Sequence, residues 1–433
     1  LTPHQHIRAL LDRIEAANPQ LNAFLNVDAE GALAAAEASG RRWRAAAPRS
    51  ALDGMGFGIK ANIAVAGWPW HGGILAYAGR AADHDAAIVA RLRALGGVPL
   101  GLLNMDEGAL GARGDNLAFG RCVNPRAPGR SAGGSSSGAA AATASGLCDA
   151  ALGTDTMGSV RIPAAFCGVA GHLPLKGALS SDGVMPLSFT LDAVGVLARR
   201  PEEAAAVMRG LTSGRRGAHA PGAGQGRCAV LHAIGGVAPD AAVLGALDAC
   251  AAEAVRIGLK LEPLDLPSDA ARGLSRACLF IVEAEAALEH EAALQRNPEG
   301  FGGAFQGMLA WAARQPALRL AEAYRTLERA RRALREALAP FDFVLSPTTP
   351  FPAWPLDGAE PRGVGDFTLL ANAAGLAATA FPVFASGAGP PLSAQLMGWS
   401  DQGTLRTAAR LARGAEVRSD GSPLAGPRPT VSI

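Results

Sequence analysis

Three short segments of this chain carry side chains that could do chemistry together. Two are glycine loops bearing serine: Ser131-Ala132-Gly133-Gly134-Ser135-Ser136-Ser137-Gly138 and Gly153-Thr154-Asp155-Thr156-Met157-Gly158-Ser159-Val160-Arg161-Ile162-Pro163. The third holds a lysine far upstream, in Phe57-Gly58-Ile59-Lys60-Ala61-Asn62-Ile63. A serine hydroxyl is a poor nucleophile at neutral pH until a base takes its proton. Lysine can be that base only where burial lowers its pKa, and the apolar residues around Lys60 are the kind that would bury it. Together the three segments are the parts of a serine hydrolase that needs no histidine.

Each segment alone is ordinary. Gly134-Ser135-Ser136-Ser137-Gly138 matches the G-x-S-x-G nucleophile elbow, but that motif needs a strand directly before it. The lead-in here is Asn124-Pro125-Arg126-Ala127-Pro128-Gly129-Arg130, which cannot be a central strand, so the elbow is rejected. No Lys-Ser/Thr pair follows the glycines, so a phosphate-cradle reading is weak. In the second loop, small residues in a tight turn can point successive N–H groups to one side. That is the geometry of an oxyanion hole. A lone lysine in an apolar run usually snorkels to water.

These side chains need a scaffold. Thr2-Pro3 reads as an N-cap followed by proline at the first helical position, with Ile7, Leu10, Leu11 and Ile14 on one helical face. A second helix is expected from Glu30 to about Arg42, and a strand–turn–strand from Gly54 to Ala66, with Lys60 at the turn. Asp85 to Leu95 reads as a helix, Gly97 to Leu103 as a buried strand, and Ala139 to Gly146 as a helix starting behind the serine-rich loop. Ala150 to Leu152 and Ala193 to Leu197 read as strands. Residues 214–226, rich in Gly, Ala and Arg, have no periodicity and read as an exposed connector. A βαβ unit is expected after it, then mainly helix from Ala277 to Leu338, a strand at Phe343 to Leu345, a helix from Phe367 to Ala374, and strands near Ala378 to Val383 and Ser393 to Met397. The alternation predicts an α/β sandwich with a large sheet.

Composition narrows the function classes. The 433 residues are 49% hydrophobic and 18% charged with a net charge of +2, too balanced for a nucleic-acid groove. No stretch of about eighteen apolar residues escapes glycine or charge, so no membrane span is expected. Six cysteines without a CxxC pair suggest neither a disulfide framework nor a metal site, and point to a reducing, cytoplasmic compartment.

Taken together, the three segments resemble the amidase signature family. Asn124-Pro125 before the serine-rich loop, Cys167-Gly168 after the second loop, Leu191-Asp192-Ala193-Val194-Gly195-Val196 and Pro391-Leu392-Ser393-Ala394-Gln395 extend the likeness over nearly the whole chain. The interval from Ser135 to Ser159 is the one the family pattern carries. The resemblance implies a single domain over residues 1–433, with a catalytic core at roughly 50–210, a second α/β part at 227–433 completing sheet and pocket, and helices on both faces of the sheet. The sheet it implies is large and mixed within an α/β fold. It implies a Ser–cisSer–Lys triad with Lys60 as base, Ser135 as the bridge after a cis peptide bond, and Ser159 as nucleophile. It also implies an oxyanion hole from the N–H groups of Thr156, Met157, Gly158 and Ser159, and no cofactor or metal.

Three positions depart from the family pattern. Met157 stands where glycine is usual, Ala61 replaces an aspartate, and His172-Leu173-Pro174 replaces a more usual Leu-Lys-Pro. Met105, Leu110 and Met157 are expected to line a pocket for a neutral substrate with some apolar bulk. The reaction implied is hydrolysis of an amide or carbamate (urethane) through an acyl-enzyme, on a small molecule, by a monomer or homodimer. One alternative is the glutaminase subunit of a tRNA-dependent amidotransferase: Asn104-Met105-Asp106-Glu107 resembles that branch's loop, and Asp401 falls where it has an acid that binds the glutamine amine. A second is a non-catalytic binding relative, disfavoured because Lys60, Ser135 and Ser159 are all present. His71, in an aromatic loop, is expected to make a ring contact rather than to do chemistry.

Overall fold

The structure, a computed structural model, describes residues 1–213, 226–235, 237–386 and 389–418. All but the last residue of the expected connector at 214–226 therefore lie outside the described residues. Twelve strands belong to the described sheet: β1 (Phe24–Val27), β2 (Gly56–Lys60), β3 (Val98–Leu103), β4 (Ala150–Asp155), β5 (Ala170–Leu173), β6 (Ala193–Ala198), β7 (Arg227–Val230), β8 (Lys260–Pro263), β9 (Phe343–Pro347), β10 (Ala377–Ser386), β11 (Leu392–Gly398) and β12 (Glu416–Arg418). Their order is β1-β3-β2-β4-β6-β5-β10-β11-β9-β7-β8, with β12 pairing β10. β2 runs parallel to β3 and β4, β7 runs parallel to β8 and β9, and the strands between β4 and β9 pair antiparallel. The sheet is therefore mixed, as the resemblance implies, and continuous from the first half of the chain to the second.

Central strands covered on both faces must be apolar on both. Ala151, Leu197, Val98 and Leu100 pack with the helices Pro3–Leu21, Ala29–Arg44 and Ser137–Ala144. Ala150, Leu152, Val196 and Ile59 pack on the opposite face with the helices Pro201–Thr212 and Leu274–Arg296. The first helix starts as expected. Thr2 accepts from the Gln5 N–H and the Gln5 side chain accepts from the Thr2 N–H, a capping box with proline at its first position.

The expected second strand at Asn62 to Ala66 does not form. Ile63 N–H donates back to Lys60 O at 2.9 Å, and Ile63 and Ala66 make only isolated bridges, to Val184 and Ala82. β2 already has neighbours on both sides, so the chain must leave the sheet after Lys60. Ile63, Ala64 and Val65 are buried in a packed loop, and an apolar run alone does not distinguish that from a strand. The helical region 277–338 is broken twice, and its helices run Leu274–Arg296, Gly303–Ala313 and Ala317–Leu338. All six cysteines are buried and unpaired. No helix among the described residues is long and apolar enough to cross a membrane.

Candidate functional site

β2 and β4 are adjacent parallel strands, and the candidate residues lie at their C-terminal ends. Lys60 is the last residue of β2 and fully buried. Its Nζ lies 2.8 Å from Ser135 Oγ and 2.8 Å from Thr154 Oγ1. Burial pushes its pKa down to about 7, against the opposing pull of the carboxylates of Asp106, Asp192 and Asp155. Thr154, next to last in β4, thus holds the lysine together with Ser135.

Ser135 follows a cis peptide bond from Gly134, as the resemblance implies. A side chain at Gly134 has no room, since a Cβ there would lie 1.8 Å from Asp106 Oδ2. The Asp106 N–H in turn donates to Ser135 O at 3.2 Å. Asp106 is buried beneath the loop and accepts from the N–H groups of Asp115 at 2.8 Å and Arg113 at 3.2 Å. Burial raises its pKa to about 7. Ser136, the false elbow serine, turns its hydroxyl to Thr154 O at 3.2 Å, and its N–H donates to Ser159 O at 3.1 Å. The two glycine loops are thus bonded to each other.

The second loop is shaped by a carboxylate the sequence reading passed over. Asp155 is fully buried and pairs with Arg161, at 2.9 Å to Nη2 and 3.1 Å to Nε. It also accepts from Gly158 N–H at 2.8 Å and Val160 N–H at 3.1 Å, closing the turn around Ser159. Arg161 and these hydrogen bonds outweigh burial and hold the Asp155 carboxyl below its usual pKa. Arg161 reaches on to Thr368 O, Asn372 Oδ1 and Gln395 Oε1, on the helix Asp366–Ala374 and β11. Gly158 has φ +126°, and a Cβ there would meet Thr368 Oγ1 at 2.2 Å, so glycine is required.

Cutting one partner from such a pair leaves an uncompensated buried charge, which costs about 3–5 kcal/mol. Arg161→Met is expected to lose stability on that scale in urea unfolding. Arg161→Met combined with Asp155→Asn should lose less than the two single changes together.

Two expectations need correction here. The Gly158 N–H is committed to Asp155, so it leaves the expected oxyanion donors. The N–H groups of Thr156, Met157 and Ser159 have no protein acceptor among the described residues. Met105 has no exposed surface among the described residues and belongs to the core; it packs where loop residue Gly73 passes. Leu110 and Met157 are half-buried and keep some exposed surface. Of the three triad candidates, Ser159 alone meets solvent, at 8% exposure against 0% for Lys60 and Ser135.

The chain matches the amidase family over residues 5–405. It belongs to that family. Among curated relatives, it is 45% identical over 203 residues to the A-type subunit of the glutamyl-tRNA(Gln) amidotransferase of Anaeromyxobacter sp. (strain K), covering 47% of this chain and 41% of the relative. It is 48% identical over 167 residues to the indoleacetamide hydrolase of Pseudomonas syringae pv. syringae, covering 39% and 37%. The matched stretches span less than half the length of these relatives. Among solved structures, the native peptide amidase of Stenotrophomonas maltophilia superposes with a TM-score of 0.81 at 27% identity, covering 97% of this chain and 95% of that one.

Within this amidase-family fold the remaining noted positions make contacts inside the fold. His172 bridges Thr379 Oγ1 at 2.9 Å and Asp401 Oδ1 at 3.2 Å. Asp401 also accepts from Leu175 N–H at 2.8 Å, tying the first turn of the helix Asp401–Gly414 to the segment after β5. Ala61 is fully buried, its N–H bonded to Leu103 O. His71 stacks on Phe119 at 4.1 Å, and burial lowers its pKa to about 4. It makes the ring contact expected of it.

Several site residues escaped the sequence reading. Thr154, Asp155 and Arg161 stand inside the quoted loop, where their polar types in an apolar setting were an available signal. Thr368 and Asn372 gave none, because only folding brings that helix to the loop.

Proposed function

We propose that this protein is a serine hydrolase that cleaves the C–N bond of a small-molecule amide or carbamate through an acyl-enzyme on Ser159. One observation carries the reading: an enclosed lysine with a pKa near 7 lies 2.8 Å from the hydroxyl of Ser135. A neutral amine has a lone pair, so Lys60 Nζ can accept the Ser135 proton while Ser135 Oγ accepts that of Ser159. Ser159 Oγ attacks the carbonyl carbon, and the N–H groups of Thr156, Met157 and Ser159 receive the oxyanion. The relay runs backwards to protonate the leaving nitrogen, which departs as the amine. Water then attacks the acyl-enzyme with the same base, releasing the carboxylic or carbamic acid and restoring Ser159.

Half-buried Leu110 and Met157 fit a substrate with some apolar bulk. Six unpaired, buried thiols fit a reducing compartment such as the cytoplasm. The test is a panel of p-nitroanilides, primary amides, glutamine and aryl carbamates offered to the purified chain. Hydrolysis of anilides, amides or carbamates in preference to glutamine is expected. Because the working base is the neutral amine, kcat/KM should rise with pH through about 7 and level off above it. A rate that falls over that range would remove Lys60 as the base.

The 45% identity to one component of an amidotransferase favours a second reading, a glutaminase that passes on ammonia. Against it, Asp401, the acid that would grip the glutamine amine, already accepts two hydrogen bonds within the fold. Glutamine hydrolysis that depends on added partner chains would favour this second reading over the first.

A further inference from the structure

The segment from Met185 to Asp192 links the residues just past the ends of both strands of the site, Asn62 after β2 and Thr156 after β4. At its start, Met185 exchanges two hydrogen bonds with Asn62, at 2.8 Å from its N–H and 3.3 Å to its carbonyl. Asn62 Nδ2 also lies 3.2 Å from Thr154 Oγ1, the same oxygen that holds Lys60 Nζ. At its end, Asp192 accepts the Thr156 hydroxyl on Oδ1 at 2.6 Å. Its Oδ2 accepts the N–H groups of Leu187 at 2.9 Å and Ser188 at 3.0 Å, which fixes the carboxylate from behind.

That turn is anchored on the opposite side. Glu285 is buried and accepts from the Ser188 and Thr190 hydroxyls, from Thr190 N–H at 3.2 Å and from Tyr324 Oη at 2.7 Å. The strap is thus pinned to two long helices, Leu274–Arg296 and Ala317–Leu338, and ends on the loop that carries Ser159.

Thr156 is the first residue past β4 and one of the three whose N–H remains open. Asp155 holds Gly158 and Val160, further along the turn, but neither Thr156 nor Met157. The Met157 carbonyl accepts from Thr368 Oγ1 at 2.7 Å, and Asp192 restrains Thr156 through its side chain. A displacement of about 1 Å in a group that meets the transition state can cost about 100-fold in rate.

We propose that Asp192 is a positioning residue: through the Thr156 hydroxyl it sets the N–H groups of Thr156 and Met157 toward the developing oxyanion. The inference rests on Ser159 being the nucleophile. Asp192 also acts at a distance. Its carboxylate, with those of Asp106 and Asp155, favours the charged form of Lys60. The two roles separate by substitution. Thr156→Val keeps the shape and the charge but removes the bond, whereas Asp192→Asn removes the charge.

The test uses an alkyl fluorophosphonate, which needs no knowledge of the natural substrate. Ser159 Oγ bonds to phosphorus, fluoride leaves, and the serine proton passes to the base. Thr156→Val is expected to label about 10–100-fold more slowly than wild type, with Thr156→Ser restoring most of the rate. The pH at which labelling reaches half its plateau should not move in Thr156→Val, and should move to lower pH in Asp192→Asn. Wild-type labelling by Thr156→Val would overturn the inference, whether or not its melting temperature falls, provided Ser159→Ala is unlabelled. Labelling that survives Ser159→Ala removes the nucleophile assignment and this inference with it.

Discussion

Ser159→Ala is expected to lower kcat/KM for amide hydrolysis by about 10,000-fold or more, the scale seen when a serine nucleophile is removed and binding is kept. No neighbouring hydroxyl can take over. Ser135 has no exposed surface, and the Ser136 hydroxyl is spent on Thr154 O. The fold should not suffer, because the turn is held by Asp155 through Gly158, Val160 and Arg161, not by the Ser159 side chain. The check is steady-state hydrolysis of the best panel substrate beside thermal unfolding of both proteins. Lost turnover with an unchanged melting temperature is the expected pair of results. Turnover within tenfold of wild type would exclude Ser159 as nucleophile.

Lys60→Met should have two opposite effects: turnover falls by about 1,000-fold or more, and the folded protein becomes more stable. The native amine has a pKa near 7, whereas an unfolded lysine keeps the ordinary value of 10.5. Between those values the unfolded chain holds a proton that the native one has lost. Stability therefore rises with pH from about 7 to about 10.5, and below 7 the full penalty of the buried amine applies. Near neutrality that penalty is about 4 kcal/mol. Methionine removes it but leaves Ser135 and Thr154 each short of a hydrogen bond, at about 1 kcal/mol apiece. A net gain of about 1–3 kcal/mol in urea unfolding at pH 7 follows, together with a flatter dependence of stability on pH above 7. An unchanged slope above pH 7 would show that Lys60 is not the titrating group.

The sequence carried much of this site because catalysis by small loops needs particular residues at particular intervals. Gly134 must lack a side chain against Asp106, and Gly158 must lack one against Thr368, so both loops show in the chain as glycine-serine clusters. Capping chemistry is equally local, and Thr2-Pro3 marked its helix correctly. The apolar run after Lys60 misled, since burial in a loop and burial in a strand select the same side chains. Met105 misled for a related reason: an apolar residue beside a site can as well belong to the core under it.

What the sequence by itself determined is the family and the segments that carry the proposed chemistry, with Lys60, Ser135 and Ser159 as their candidate residues. Only the tertiary structure decided how those pieces are held. It placed Thr154 on the lysine, committed the Gly158 N–H to Asp155, and brought Asn372 and Gln395 to Arg161 from about half the chain away. The difference has a physical cause. A backbone that must turn tightly or admit no side chain leaves its mark in neighbouring residues. A hydrogen bond between distant segments can be supplied by many polar residue types, and which two meet is settled only when the sheet closes.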